Sequence, residues 1–246
     1  MGKNVLYCGL LALAGAAFLV GEAAGAWELV ASYATPTSNP RGYYAHPDGG
    51  WLVDDSEPAR VLHVYWPSGS VAASFTAPGG GGAFGVCRGP GGHLLVSNAT
   101  SSMIYETSTA GSVYNSFTCP VAGPADMTSG YSGNYACIAI PDANVLARVD
   151  MTTGSLVSTA AGPGARPTSC CGHDVGFVAD EATHTIYLNG SPIITGVQTP
   201  VGVDELSTTD GTFLYVVDDA TDYCYMYRSD VAVAPASMGR VKALFR

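Results

Sequence analysis

The sequence predicts an all-β propeller, and three observations carry that reading. A unit of short apolar strands recurs along the chain, glycine turns occupy fixed places within it, and an incomplete unit at each end supplies what the other lacks. The count is five blades of four antiparallel strands, with six as the alternative if a degenerate unit is hidden in the pattern.

The unit is clearest over residues 49–78, GGWLVDDSEPARVLHVYWPSGSVAASFTAP. Its ending returns as GSVYNSFTCP (111–120), GSLVSTAAGP (154–163) and, more weakly, GSPIITGVQTP (190–200), so the closing prolines lie 42, 43 and 37 positions apart. A helical repeat would space its apolar residues by three and four, and this one does not. A first short strand, such as residues 42–45, meets a turn at Asp48-Gly49, Gly91-Gly92 or Asp210-Gly211, where glycine permits a tight hairpin. The second strand is almost wholly apolar (Trp51-Leu52-Val53, Leu94-Leu95-Val96, residues 135–138, Phe177-Val178, residues 213–217), as expected when neighbouring blades cover both sheet faces. A third strand and a turn at Gly69, Gly111, Gly154 or Gly190 lead to the fourth, which the proline closes at a sheet edge that needs no further donor.

Residues 29–36, LVASYATP, match residues 71–78 as a fourth strand with no first three, while residues 201–227 supply three strands with no clear fourth. The two fragments predict a clasp in which the N-terminal strand pairs with the last blade and removes an open edge.

The strings WLVDDSEPARVLHVYWPSGSVAASF and FLYVVDDATDYCYMY resemble NHL-like and YVTN-like propeller repeats, in which Val-x-Asp ends one strand and Ile/Val-Tyr marks the next. The resemblance spans residues 27–228 and implies the fold alone. Such propellers serve as binding scaffolds, signalling domains and enzymes, so no catalytic residue is carried over with it.

Residues 1–26 read as a signal peptide: Lys3, an apolar stretch over 5–20, and a small-residue cleavage site at Ala24-Gly25-Ala26 that leaves Trp27 first. The expected location is therefore secreted or cell-surface, periplasmic if retained. Residues 27–230 form the propeller and 231–246 a tail carrying Arg240, Lys242 and Arg246, with a sorting or attachment role as its functional reading. A formal charge of −10 argues against nucleic-acid backbones and anionic membranes. Beyond Cys8, six cysteines remain (Cys87, Cys119, Cys137, Cys170, Cys171, Cys224), an even number compatible with up to three disulfides of open connectivity. Cys170 and Cys171 are adjacent and point to opposite faces, which argues against a bond between them. The spacings do not suit a structural zinc site.

The candidate site residues are acids and histidines. Asp54, Asp55, Asp180, Glu181, Asp218 and Asp219 follow second strands and should reach one rim of the ring, either as acceptors for turn N–H groups or as a polar rim able to take Ca²⁺. His46 and His173 fall near the first strand or its turn, close to the central channel, and are the candidates for acid–base chemistry. Tyr65, Tyr105, Tyr187 and Tyr225 recur on third strands as packing residues, whereas Tyr43, Tyr44, Trp51 and Trp66 are less regular and would stack on sugars if exposed. Asn98-Ala99-Thr100 and Asn189-Gly190-Ser191 fit the glycosylation sequon. No catalytic signature accompanies the repeat, so the leading expectation is an exported module that binds a glycan, a peptide or a cell-surface protein and needs no cofactor. The alternatives are a propeller hydrolase, lyase or metal-dependent lactonase-like enzyme, and an architectural component of an envelope layer or fibre.

Overall fold

The structure, a computed structural model, describes residues 27–66, 68–129, 134–171 and 176–229. The expected signal peptide, the tail and His173 lie outside the described residues. The chain forms five four-stranded antiparallel sheets. The first contains β2 (Pro40–His46), β3 (Gly49–Asp54), β4 (Arg60–Tyr65) and β5 (Ser70–Thr76); the second contains β6 (Ala83–Arg88), β7 (Leu94–Asn98), β8 (Met103–Thr107) and β9 (Val113–Thr118). The third contains β10 (Met127–Ser129), β11 (Tyr135–Ile140), β12 (Val145–Asp150) and β13 (Leu156–Ala161), and the fourth β14 (Pro167–Cys171), β15 (Phe177–Asp180), β16 (Thr185–Leu188) and β17 (Ser191–Thr195). In the fifth, β18 (Pro200–Thr208), β19 (Gly211–Asp218) and β20 (Tyr223–Ser229) are completed by β1 (Trp27–Ala34), which pairs antiparallel with β20 from Trp27↔Ser229 to Ala34↔Tyr223. The predicted clasp is therefore present, and five blades is the count.

The glycine turns behave as read. Gly49, Gly92 and Gly211 at the inner hairpins, and Gly69, Gly111, Gly154 and Gly190 before the outer strands, all take positive φ. One proline echo differs. Pro78, Pro120 and Pro163 follow outer strands, but Pro200 opens β18. Pro40 and Pro167 open inner strands in the same way, so Pro200 belongs to that second set.

Blades stack face to face, and each seam holds one apolar cluster. Trp51, Val53 and Phe75 meet Val86 and Val96 at the first seam, and Leu95 and Ile104 meet Ile138 and Val149 at the second. Ala139 and Leu146 meet Val178 at the third, Phe177 and Ile186 meet Leu214 and Val216 at the fourth, and Val201 and Val217 meet Tyr43, Leu52 and Leu62 at the closing seam. The second strands feed both their neighbours, which is why they are apolar on both faces. The six cysteines of the described residues are all free and buried in these seams, so no disulfide of the kind the sequence allowed is formed. Tyr43 and Trp51 are core residues rather than rim aromatics, at 1% and 7% exposure. The Tyr43 hydroxyl accepts a hydrogen bond from Trp66 Nε1 (2.8 Å), and Trp51 stacks on His63. Among the described residues no helix is long and apolar enough to cross a membrane.

The first strands β2, β6, β10, β14 and β18 contact one another in a ring around the axis. Their inner edges face the channel, and their N–H groups there need acceptors because water is excluded. Equivalent positions on four strands, with Asp126 just before β10, hold Gly42, Gly85, Asp126, Ser169 and Gly202. The glycines are required by crowding: a Cβ on Gly42 would lie 2.6 Å from the Gly85 Cα and 2.3 Å from Asp126 Oδ1. Into that space Asp126, fully buried, accepts hydrogen bonds from Tyr43 N (3.4 Å) in the first blade, Val86 N (3.2 Å) in the second and Ser169 Oγ (2.6 Å) in the fourth. Ser169 Oγ in turn accepts from Val203 N (2.8 Å) in the fifth. One carboxyl and one hydroxyl thus tie all five blades at the axis. Burial pushes the Asp126 carboxyl well above the usual range, against the hydrogen bonds that hold it down.

Asp126→Ala leaves three buried N–H groups (Tyr43, Val86 and Met127) and a hydroxyl without their acceptor, and should cost on the order of 3 kcal/mol in urea unfolding. Asp126→Asn keeps a carbonyl oxygen and should cost less than half as much. Equal losses would mean that seam packing, not the axial acceptor, holds the ring.

Candidate functional site

The acids expected on one rim occupy equivalent places. Asp54, Asp180 and Asp218 each end the second strand of a blade opposite a proline that opens the first, in the pairs Pro40↔Asp54, Pro167↔Asp180 and Pro200↔Asp218. All three are buried, at 0%, 0% and 1% exposure, and their oxygens are occupied by local donors. Asp54 accepts from Thr37 Oγ1 (2.6 Å), Ser56 N (3.1 Å) and Arg60 (2.7 Å). Burial alone would raise its carboxyl, but these hydrogen bonds hold it below the usual range. Asp180 accepts from Arg166 N (2.6 Å) and from the Thr183 N–H and hydroxyl (both 2.9 Å), and Asp218 from Gln198 N (3.2 Å), Thr199 N (2.9 Å) and Ala220 N (3.0 Å).

The following acids reach sideways. Asp55 accepts from Gly82 N of the second blade (2.8 Å), Asp219 pairs with Arg41 of the first blade (2.6 Å), and Glu181 pairs with Arg166. In the second blade the equivalent of Asp54 is Asn98, not the preceding Ser97. Its Oδ1 accepts from Ser101 N (2.9 Å), and its amide donates to the Gly80 and Gly81 carbonyls. The rim carboxylates are thus fasteners for turns and loops, set apart from one another. Among the described residues no group of three or more His, Cys, Asp or Glu stands close enough to hold a metal ion. A shallow crevice beside Asp218, lined by Gln198, Thr221 and Tyr225, offers no further carboxylate.

The opposite end of the channel is different. Two positions beyond the hub, toward the inner hairpin turns, the first strands carry Tyr44, Cys87, Thr128, Cys171 and Asp204. Asp204 reaches across the closing seam, where Oδ2 accepts from Ala45 N (2.7 Å) on β2. Its carboxyl also takes the Glu205 N–H and the Cys171 thiol. The residue as a whole is half-buried. Burial pushes that carboxyl up to about 7, and the Glu205 charge adds to the shift against the three hydrogen bonds. The Tyr44 phenol feels both Asp204 and Arg88, and burial raises it as well. Burial also pushes the Cys87 and Cys171 thiols well up, so neither is a nucleophile at neutral pH. His46 ends the same β2 strand, half-buried, its Nδ1 accepting from Asp48 N (3.3 Å).

Sequence reasoning missed Asp204. It lies in PVGVDELST, outside the Val-x-Asp pattern, and only the strand alignment that places Gly202 at the axis shows that Asp204 follows it into the channel. It also missed the His93–Glu106 pair (2.6 Å) on the second blade, over which Tyr114 stacks.

No protein-family model matches the chain, and no curated protein matches it. Solved structures do. Glutaminyl cyclase from Myxococcus xanthus superposes with a TM-score of 0.66 at 10% identity, covering 84% of this chain and 97% of that one. A catalytically inactive variant of virginiamycin B lyase from Staphylococcus aureus, solved with quinupristin, gives 0.50 at 17% identity, covering 77% of this chain and 66% of that one. At such identities the likeness is one of fold, and it bears out the propeller.

The raised Asp204 carboxyl sets a pH dependence. Folded chain holds this proton up to about pH 7, whereas unfolded chain releases it near the ordinary 3.8, so its contribution to stability is complete below about pH 4 and lost as the pH rises through 7. Urea midpoints measured from pH 4 to 8 should fall with pH in the wild type and fall less in Asp204→Asn. Parallel profiles would place the titration elsewhere.

Proposed function

We propose that this protein is a propeller enzyme that moves a proton on a small polar substrate at the channel mouth, with Asp204 as the group that takes and returns it. The observation that carries the reading is a carboxyl, on a residue half-buried as a whole, that burial raises to about 7 and that a thiol and two N–H groups back. A group that ionises near neutrality serves equally as acceptor and donor, and such groups gather at catalytic sites. The Tyr44 phenol, which feels the charges of both Asp204 and Arg88, and Arg88 itself offer a donor and a positive charge for a carbonyl or anionic part of the substrate. With the neighbouring thiols inert, the suitable reaction types are those in which the substrate supplies its own nucleophile or leaving group, namely cyclisation and elimination. A glutaminyl cyclase and a lyase on the same architecture support that choice. The leader read over residues 1–26 supports an exported location.

A second reading, a binding module for a protein or peptide, is favoured by the outer strands. Leu29 and Val30, Val71, Val113 and Tyr114, and Leu156 and Val157 repeat an exposed apolar pattern around the circumference.

Two measurements test the enzyme reading with a panel of compounds in place of one chosen substrate. Carboxyl carbon NMR titration, assigned through Asp204→Asn, should place Asp204 near 7. Mass spectrometry of the protein incubated with N-terminal glutaminyl peptides, quinupristin and small amides and esters should find turnover that Asp204→Asn lowers by about 100-fold or more while the variant still unfolds cooperatively. If Asp204 titrates near 4, or the whole panel comes through intact, the enzyme reading falls and the binding module takes its place.

A further inference from the structure

Of the six buried thiols among the described residues, two meet across a seam. Cys137 lies on β11, the second strand of the third blade, and Cys170 on β14, the first strand of the fourth. Both belong to the apolar cluster of the third seam, at 7% and 0% exposure. The Cys170 thiol donates to the Cys137 carbonyl oxygen at 3.4 Å, and its sulfur also hydrogen-bonds to the Cys137 side chain. Alternation along β14 accounts for the choice of partner. Cys170 turns toward the third blade, while Cys171 turns to the other face, into the fourth seam and the Asp204 carboxyl.

We propose that Cys137 and Cys170 form a redox pair that oxidises to a disulfide joining the third blade to the fourth, by exchange with an external disulfide. In the first step the thiolate of one cysteine attacks a sulfur of that disulfide, making a mixed disulfide and releasing one thiol. The second cysteine then attacks its partner's sulfur, forming the inter-blade bond and releasing the second thiol. Two cysteine thiols are oxidised and one external disulfide is reduced to two thiols, so atoms and electrons balance. The hydrogen bond with the Cys137 side chain, together with burial, pushes the Cys170 thiol well up and keeps it protonated, so exchange in the closed ring is slow. It proceeds when the seam opens or before it has closed.

The experiment uses the full chain with oxidised glutathione as the probe, in buffer and in urea below the unfolding transition. Oxidation should remove two thiols per chain, counted in denaturant, faster in mild urea than in buffer. Peptide mapping should join the peptide carrying Cys137 to the one carrying Cys170 and Cys171. Cys171→Ser should oxidise as the wild type does, and Cys137→Ser and Cys170→Ser should not. The oxidised wild type should unfold at higher urea than the reduced form. A thiol count unchanged in both conditions, or a map of the wild type that joins any other pair, overturns the proposal whether or not the serine variants fold.

Discussion

The structure depends on how the inner edges of five first strands are satisfied. A propeller removes most sheet edges by stacking, yet it turns five strand edges inward, toward a narrow space from which water is largely excluded. N–H groups there must find acceptors within the protein. This chain meets the requirement asymmetrically: three of five equivalent positions are glycine, and the other two supply a carboxyl and a hydroxyl that serve the rest. A larger residue at Gly42 or Gly85 would collide with Asp126, and a smaller one at Asp126 would leave the edges unpaired.

That arrangement divides the molecule into two ends with different duties. On the side where the first strands begin, aspartates at the ends of β3, β15 and β19 fix turns and loops, and their neighbours clamp one blade to the next. Every donor there is local, so the carboxyls are hydrogen-bonded without being exposed. On the side of the inner hairpins, Asp204 has as many donors, but burial outweighs them and a neighbouring acid adds to the shift, so it keeps its proton to near neutrality. The same side-chain type is a fastener at one end and a titrating group at the other, and the difference lies in burial and a neighbouring charge that outweigh the donors around Asp204.

Much of this was legible in the sequence because it repeats. The Gly-Ser turns, the apolar second strands and the split blade all follow from comparing the chain with itself, and the clasp of β1 on β20 was readable from residues 29–36 together with the three-strand unit at residues 201–227. What did not repeat could not be read that way. Asp126 and Ser169 replace glycines at the axis and look ordinary within PADMTS and RPTSCC. Asp204 sits after an echo whose proline opens a strand instead of closing one. Asn98 keeps the place of Asp54 under a different name, since an amide oxygen accepts from a turn N–H as a carboxylate does. The cysteines could be counted but not paired, since their partners are set by which seam each strand face enters.

The split blade also has a bearing on how the ring is made. β1 precedes the other nineteen strands, but its only sheet partner, β20, is the last of them. During synthesis the first four blades can assemble from contiguous sequence as they emerge, while β1 waits as an unpaired apolar strand and the fourth seam lacks a finished neighbour. Closure is therefore the most non-local event in the chain, and the ring is completed only after translation has passed Ser229. Until then β1 has no strand to pair with.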